Sequence, residues 1–467
     1  MSANALLIAW QQTLARLGNQ PAIKAPDGTT LRTFSDVEAE ARGLEKRCEG
    51  FPRHAVIAVQ IGNVAVWPGL LLALFRARLV SLPLGRHLDA SEVEVALQTC
   101  DASGLITAHG DELRITNRKS RFDQQWKDSP PDFLKLTSGT TSAPRAIRFR
   151  ASQLLADCDN ICATMGITAA DVNFGVIPFS HSYGFSNLIT PLIARGIRLV
   201  ASEDRLPRAI LNDLAASKAT VFPGMPVFYQ KIVELETVPA LPNLRLCISA
   251  GAPLSKVVAE RFAAKFGRKI HTFYGASECG GIAYDAEERA VHDEGFAGKA
   301  MHGVEIERVE TAGAASIVVR SAAVGDGYYP NSDETTLSRG QFAPSDLVRW
   351  TDEGMFIVGR VSDVINVAGR KLNPLELERR LLACPGIKQA VVFGVTSSLR
   401  GEEPVACVTV EPGIDSAIVL RFCQTQLSAW QVPKDIWIVD DIPVNERGKI
   451  NRRFLAERYR TREARCR

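Results

Sequence analysis

Leu136-Thr137-Ser138-Gly139-Thr140-Thr141-Ser142-Ala143-Pro144-Arg145 is a run of small hydroxyl residues and glycine that begins like a strand and stops near a proline. Small side chains let backbone N–H groups and hydroxyls approach phosphate oxygens closely, and Arg145 and Arg148 can add positive charge. The run lacks the spacing of a Walker loop, in which four residues separate a glycine from Gly-Lys-Ser/Thr. It predicts a phosphate-binding loop, and an ordinary Ser/Thr/Gly surface turn is the alternative.

The size and charge of the chain favour a protein of several globular units that handles small molecules. Its 467 residues, 46% of them hydrophobic, are too many for one compact core. Lys and Arg number 55 against 52 Asp and Glu, and they are spread along the chain, which argues against nucleic-acid binding. The longest apolar run, 64–75, predicts a buried helix rather than a membrane span.

Cysteine usage and the first residues of the chain predict a cytoplasmic location. The ten cysteines form no CxxC pair and no regular framework. The first fifteen residues also lack the basic start and the cleavage site of a signal peptide. We therefore expect each cysteine to be a small core residue in a reducing compartment.

Strand and helix signals alternate through the first 293 or so residues. Apolar strand candidates at 55–61, 219–222 and 244–249 are separated by helical stretches, which is typical of a layered α/β domain. After Glu294 closely spaced strands such as 316–320 and 355–359 predict a small β-rich subdomain.

A separate unit is predicted from Val361 onward. An amphipathic helix opens at Asn373-Pro374 and closes at Cys384-Pro385-Gly386, and strands are predicted at 390–395 and 406–411. Its roughly one hundred residues are enough for an independent α+β domain.

Five further segments follow the phosphate-binding loop in order. They are 177–184 (IPFSHSYG), 273–278 (FYGASE), 345–347 (SDL), 359–363 (GRVSD) and 445–450 (NERGKI). Between them lie 249–254 (SAGAPL), 324–329 (VGDGYY) and 364–378. Taken in this order and spacing, and over essentially the whole chain, the segments resemble the acyl-adenylate-forming superfamily of acyl-CoA synthetases, adenylation domains and luciferases.

The resemblance implies an α/β fold with two domains. The large N-terminal domain would span 1–360, with layered αβαβα subdomains over about 1–293 and a small β-barrel-like subdomain over 294–360. A small, mobile α+β C-terminal lid would span 361–467. The hinge between them would lie near Ser362.

The implied reaction has two steps. A carboxylate attacks the α-phosphate of ATP to form an acyl-adenylate and release pyrophosphate, and a thiol then takes the acyl group. Charge is the main obstacle, because two like unit charges 4 Å apart repel by roughly 4 kcal/mol at an effective dielectric constant of 20. Mg²⁺ and fixed cations must offset this repulsion.

The resemblance also assigns nucleotide-binding residues. They are Thr137, Ser138, Gly139, Thr140, Thr141, Arg145, Gly251, Ala252, Pro253, Tyr274, Gly275, Ala276, Ser277, Asp346 and Arg360. Thr137 and Thr140 would donate hydroxyls to the β- and γ-phosphates. Tyr274 would flank the adenine, and Asp346 would accept both ribose hydroxyls. Arg360 would contact ribose or phosphate.

Four residues are implied in catalysis: Lys449, Glu278, His181 and Thr137. Lys449 would bridge the substrate carboxylate and the α-phosphate. Glu278 would ligate Mg²⁺, which prefers hard oxygen ligands. His181 would position the substrate, because a carboxylate that is already an anion needs no general base.

The implied acyl pocket contains His181, Gly224, Gly280 and Gly281. Missing side chains at 280 and 281 would leave room for an aryl or a medium-to-long acyl chain. Gly369 would let the pantetheine arm of CoA pass along a bare backbone.

Several positions depart from the superfamily pattern. Ser142 and Ala146 stand where Gly is usual, Arg145 stands for Lys, and Ser362 stands at the hinge for Asp or Lys. The implied function is acid:CoA ligation with ATP, Mg²⁺ and CoA. One alternative is transfer to the phosphopantetheine of a carrier protein, and another is a non-catalytic nucleotide- or acyl-binding relative.

Overall fold

The computed structural model describes 4–109, 112–120, 126, 130–137, 145–288, 291–309, 315–331, 333–338, 340–397, 399–443 and 451–466. The chain divides into two compact units. The first comprises Met1–Glu307 and Val318–Pro344, and the second comprises Arg308–Ile317 and Ser345–Arg467. This division does not test the predicted domain boundary at 361, which stays a prediction.

One sheet of the first unit is built around parallel strands. In spatial order its strands are β2 (Thr30–Thr33), β1 (Pro21–Lys24), β10 (Arg198–Ala201), β9 (Val172–Gly175), β11 (Val221–Gly224), β12 (Leu246–Ala250), β13 (Ile270–Ala276), β14 (Gly280–Tyr284) and β15 (Phe296–Ala300). From β1 to β13 the neighbouring strands of this order are parallel, and β14 then returns antiparallel to β13. Their almost continuous apolar residues suit strands that are buried on both faces.

A second sheet of this unit carries the predicted phosphate loop. Its order is β18 (Gly327–Tyr329), β8 (Arg145–Phe149), β7 (Phe133–Thr137), β4 (Val80–Pro83), β3 (Val56–Gln60), β5 (Gly104–His109) and β6 (Glu112–Asn117). Strands β7 and β8 pair antiparallel on either side of the loop, with Thr137 opposite Arg145. A further sheet has four strands in the spatial order β16 (Val304–Val309), β17 (Ser316–Ser321), β20 (Gln341–Phe342) and β19 (Leu337–Ser338).

Helices cover the sheets of the first unit. They are α1 (Ala5–Leu17), α2 (Phe34–Cys48), α3 (Trp67–Arg76), α4 (Ala90–Thr99), α5 (Ala151–Met165), α6 (Ser182–Gly184), a π-helical turn (Phe185–Ile189), α7 (Thr190–Arg195), α8 (Pro207–Ser217), α9 (Pro226–Glu234) and α10 (Lys256–Phe266). Helices α2 and α4 begin at capping boxes, Thr33 with Asp36 and Asp89 with Glu92. The apolar run predicted as a buried helix is α3, whose residues 67–75 are all buried.

The second unit is α+β. Its elements are β21 (Asp346–Trp350), β22 (Met355–Arg360), a 3₁₀ turn (Val361–Asp363), β23 (Ile365–Val367), β24 (Arg370–Leu372), α11 (Pro374–Leu382), β25 (Ile387–Ser397), β26 (Gly401–Val410), α12 (Ser416–Gln426), β27 (Asp435–Ile438) and α13 (Arg452–Cys466). Asn373 caps α11 by accepting the Leu375 N–H, and Pro374 occupies the first helical position. The predicted helix at 373–384 is therefore present.

The α/β fold class with a large N-terminal and a small C-terminal part is confirmed. Across the described ranges, none of the helices has both the length and the apolarity needed to span a bilayer.

A buried ionic network stabilises the second unit. Arg452 of α13 donates to both carboxylate oxygens of Glu378 at 2.8 and 3.0 Å and to the Val392 carbonyl at 3.0 Å. The same guanidinium lies 3.2 Å from Asp363 Oδ2. Glu378 also accepts the Val392 N–H at 2.7 Å, so one carboxylate connects α11, β25 and α13.

Replacing Arg452 by Met should weaken this unit, because it removes two charged hydrogen bonds from the buried Glu378 carboxylate. We expect a loss of about 2 kcal/mol, below the usual range for a fully buried pair because Arg452 keeps 20% side-chain exposure. Hydrogen exchange of the β25 amides should then be about 30-fold faster, since each 1.4 kcal/mol is a factor of ten. Arg453→Met is the matched control, because Arg453 is 61% exposed and lies 3.9 Å from Glu457. Equal exchange in both variants would contradict the network's role.

Candidate active site

Three motif segments of the first unit lie at one edge of its parallel sheet. Strands β9, β11, β12 and β13 are parallel neighbours, and their carboxyl ends therefore lie side by side. Segment 177–184 follows β9, 249–254 overlaps the end of β12, and 273–278 ends β13 and continues into the turn to β14. Binding sites of α/β folds form at this edge.

The phosphate loop is described only at its two ends. Thr137 donates its hydroxyl to the Arg145 carbonyl at 2.9 Å and so closes the base of the β7–β8 hairpin. Ser138, Gly139, Thr140 and Thr141 lie outside the described residues, as do Ser142 and Lys449. Their predicted roles stay predictions.

Glu278, the predicted metal ligand, lies in the turn between β13 and β14. The Tyr328 hydroxyl donates to its Oε1 at 3.0 Å, and the Gly325 N–H donates to its backbone carbonyl at 2.9 Å. Burial raises the pKa of Glu278, while the Tyr328 hydrogen bond and the positive charges of Arg145 and Lys135 act in the opposite direction. A cation at this carboxylate would favour its charged form.

Arg145 lies on the same face of the second sheet as Tyr328. Its guanidinium carbon is 3.6 Å from the centroid of the Tyr328 ring, a close cation–π contact. Arg148, which we expected to add a second positive charge, has the opposite parity along β8 and lies on the other face, beside Gly327. The expected contribution of Arg148 to phosphate binding stays a prediction.

Lys135 is a further cation that the sequence analysis missed. Strand register places Lys135 opposite Ile147 and Ile147 opposite Tyr328, so the three share one face. Lys135 is 5% exposed, its Nζ is 4.5 Å from the Phe149 ring centroid, and Nζ has no hydrogen-bond partner among the described residues. Burial lowers the pKa of Lys135, and the negative charges of Asp157 and Glu278 act in the opposite direction. The sequence feature that could have identified Lys135 is a lysine within an otherwise apolar strand.

The expected empty space beside Gly280 and Gly281 is filled. A Cβ at Gly280 would lie 2.0 Å from Asp157 Oδ1, and one at Gly281 would lie 2.6 Å from Met301 Sδ. Asp157 Oδ1 also accepts the Gly281 N–H at 3.0 Å. Gly280 permits close packing against α5 and Gly281 permits close packing against Met301, and neither creates room, so the reasoning that led from them to a large acyl pocket is wrong. Their place in the pocket wall stays a prediction.

Local hydrogen bonds and close packing hold the predicted pocket and adenine segments. His181 Nδ1 accepts the Tyr183 N–H at 3.2 Å and so caps α6, and Ser182 donates to Ser277 at 3.0 Å. A Cβ at Gly275 would lie 2.6 Å from the Gly280 carbonyl, which explains the glycine. The space that a Cβ at Gly224 would take is filled by the Tyr229 ring. The roles of His181 and Gly224 in the acyl pocket stay predictions.

The remaining first-unit residues of the adenine site lie where their motifs place them along the chain. Gly251, Ala252 and Pro253 follow β12, and Gly251 has a φ of +93°. Tyr274 and Ala276 belong to β13. Their contacts with a nucleotide stay predictions.

In the second unit the structure pairs the two predicted ribose contacts. Asp346 and Arg360 are register partners in the β21–β22 hairpin, and Arg360 Nε lies 2.9 Å from Asp346 Oδ1. Asp346 is 8% exposed. Gly369 has a φ of +83°, and a Cβ there would have no atom within 4 Å. Ser362 lies in the 3₁₀ turn after β22. The roles of Gly369 with CoA and of Ser362 as hinge stay predictions.

The residues around Glu278 fit a Mg²⁺ ion that is held mainly by nucleotide. In the part of the chain that the structure covers, no three His, Cys, Asp or Glu side chains gather as a metal site. Mg²⁺ bound with a nucleotide needs only one or two carboxylates besides phosphates and water. Glu278 has one such carboxylate, which accepts the Tyr328 hydroxyl, and its role as a Mg²⁺ ligand stays a prediction.

Comparison with known proteins identifies the family. A family model described as AMP-binding enzyme matches 10–329, and one described as AMP-binding enzyme C-terminal domain matches 376–449. A probable CoA ligase of Humulus lupulus is 28% identical over 86% of this chain and 86% of the relative. The oxalate–CoA ligase of Arabidopsis thaliana is 26% identical over 96% of this chain and 98% of the relative.

The crystal structure of ATP-bound MatB from Rhodopseudomonas palustris shares the fold. Its TM-score is 0.85 at 23% identity, over 98% of this chain and 99% of that chain. The predicted resemblance to the acyl-adenylate-forming superfamily is confirmed. Since the first family model alone covers more than half of its residues, the chain belongs to the family of AMP-binding enzymes.

Proposed function

We propose that this chain is an AMP-forming ligase that joins a carboxylic acid to the thiol of CoA. The observation that carries the proposal is the Glu278 carboxylate, held by Tyr328 beside Arg145 where the phosphate loop ends. Membership of the AMP-binding family supports the adenylating step. The CoA ligase names of the curated relatives support CoA as the acceptor.

In the first half-reaction, the substrate carboxylate attacks the α-phosphate and pyrophosphate leaves. Both reactants are anions, so the fixed charge of Arg145 at the loop end lowers their repulsion. When bound, Mg²⁺ would neutralise phosphate charge and polarise a phosphoryl oxygen. Glu278 is the residue of this chain proposed to hold it.

Other residues would position the reactants. Thr137, at the loop base, would present its hydroxyl to phosphate, and His181 would orient the substrate carboxylate. Asp346, with Arg360 beside it, would bind the ribose. Lys449 would contribute a positive charge between carboxylate and α-phosphate in the first step and leave in the second.

The acid is proposed only as a class, the carboxylic acids, because the volume expected beside Gly280 and Gly281 is occupied. A carrier-protein phosphopantetheine is the alternative acceptor. A non-catalytic binding protein is the alternative that the altered loop residues Ser142, Arg145 and Ala146 suggest.

A cytoplasmic location is part of the proposal. The cysteines whose surroundings the structure describes are buried free thiols. Burial raises the pKa of Cys100 and of Cys247 to about 12, so both stay protonated and unreactive at neutral pH. Such thiols fit a reducing compartment.

Mass spectrometry of the purified protein with MgATP and a pool of aryl and C2 to C16 acids, with and without CoA, tests the proposed reaction. We expect AMP together with one acyl-CoA mass. Acyl-adenylate without thioester would favour a carrier-protein acceptor. Absence of AMP with every acid would contradict ligation and favour the binding protein.

Lys449→Ala should abolish formation of the adenylate and spare the second half-reaction, because the lysine charge is required only where carboxylate meets phosphate. The measurement is thioester formation from supplied acyl-adenylate and CoA, beside pyrophosphate release from ATP. Lys434→Ala is a control lysine outside the motifs. Equal loss of both half-reactions in Lys449→Ala would exclude the proposed role.

Glu278→Gln should lower kcat/KM for MgATP by about 100-fold, which is typical for loss of one charged group that stabilises a transition state. The amide keeps the size of the side chain and removes its charge. Glu287→Gln, an exposed residue after β14, is the matched control. Unchanged kinetics and Mg²⁺ dependence in Glu278→Gln would show that another group holds the metal.

A further inference from the structure

Tyr328 makes two contacts with residues of the proposed site. Its hydroxyl lies 3.0 Å from Glu278 Oε1, and its ring centroid lies 3.6 Å from the guanidinium carbon of Arg145. The same ring therefore contacts the proposed metal ligand and the cation at the end of the phosphate loop.

The sheet fixes where Tyr328 points. Tyr328 pairs with Ile147, so its side chain has the same parity as Arg145, two residues earlier on β8. It is 3% exposed, and the neighbouring Gly325 N–H holds the Glu278 backbone at 2.9 Å. The backbone carbonyl and Oε1 of Glu278 both accept hydrogen bonds. Few side-chain rotamers therefore remain that could move its second carboxylate oxygen.

The contact with Arg145 explains a departure from the superfamily pattern. A planar guanidinium stacks flat on an aromatic face, whereas a lysine ammonium on a flexible stem is fixed less well. The phosphate-loop cation of this chain is thus held in place by a residue of β18. Arg145 and Tyr328 thus form a contacting pair of side chains.

We propose that Tyr328 is a positioning residue with two separable functions. Its hydroxyl orients Glu278 toward the nucleotide-bound Mg²⁺, and its ring orients Arg145 toward the phosphates. This inference rests on the proposed function, since both partners act on MgATP. The hydroxyl should affect only the part of nucleotide affinity that Mg²⁺ adds, and the ring should affect affinity with or without the metal.

Equilibrium titration with the α,β-methylene analogue of ATP, which cannot release pyrophosphate, tests both functions. Each protein is titrated in EDTA and in excess Mg²⁺, and the ratio of the two dissociation constants gives the gain due to Mg²⁺. In Tyr328→Phe we expect unchanged affinity in EDTA and an about 10- to 100-fold smaller Mg²⁺ gain, the size of one hydrogen bond to a charged group. Arg145→Lys should weaken binding about 5-fold in both conditions, the size of a cation–π contact.

Tyr329→Phe is the matched control. Tyr329 is the next residue of β18, has the opposite parity, and its ring centroid lies 5.1 Å from that of Trp126 in a tilted contact. It should behave like the unaltered protein. A purely structural role of Tyr328 would lower affinity equally in EDTA and in Mg²⁺.

The outcomes separate this inference from the proposed function. If the unaltered chain binds the analogue with a Mg²⁺ gain and Tyr328→Phe keeps the full gain, the positioning role is overturned and the ligase proposal stands. If the unaltered chain does not bind the analogue at all, both are overturned. Tyr328→Phe removes one oxygen atom, and a thermal unfolding scan verifies that each variant is folded.

Discussion

The partly buried carboxylate of Glu278 is the feature on which the rest of the proposed site depends. Burial disfavours its charged form, and the charged form is what a divalent cation requires. Nearby groups oppose that penalty: the hydroxyl of Tyr328, and the positive charges of Arg145 and Lys135. All three come from one face of the second sheet, so the register of β7, β8 and β18 determines the electrostatics of a residue at the end of β13.

A second negative charge lies behind this carboxylate. Asp157 of α5 is 3% exposed and accepts the Gly281 N–H, which fixes the backbone just after Glu278. The positive charge of Lys135 acts on both Asp157 and Glu278. A buried carboxylate without a cation is strongly unfavourable, so the positive charge of Lys135 lowers the cost of burying Asp157 beside the β13–β14 turn. Asp157 therefore contributes both to the packing of α5 and to the charge of this site.

The sequence was sufficient for the family and for most elements, and it failed where distant segments meet. Motif order predicts the family, and local patterns predict α3 and α11, because apolar runs and cap residues act within a few positions. Gly280 was misjudged because the atom that fills its space belongs to Asp157, more than one hundred residues earlier. That Arg148 faces away from Tyr328 could not be predicted, because the parity of a strand toward its neighbour is known only from the register. Lys135 and Tyr328 lie on one face only because of cross-strand pairing, which the sequence does not show.

In the second unit, the pairing of Asp346 with Arg360 follows the same logic as the carboxylate in the first. Asp346 is buried, and the hairpin register places a guanidinium against one of its oxygens. An ionised carboxylate accepts about four hydrogen bonds, so the arginine contact is compatible with two ribose hydroxyls. Because the arginine compensates the charge, Asp346 can act as an acceptor in an apolar hairpin before any nucleotide arrives. In each unit, the acid proposed to bind nucleotide thus lies near a cation that strand register positions.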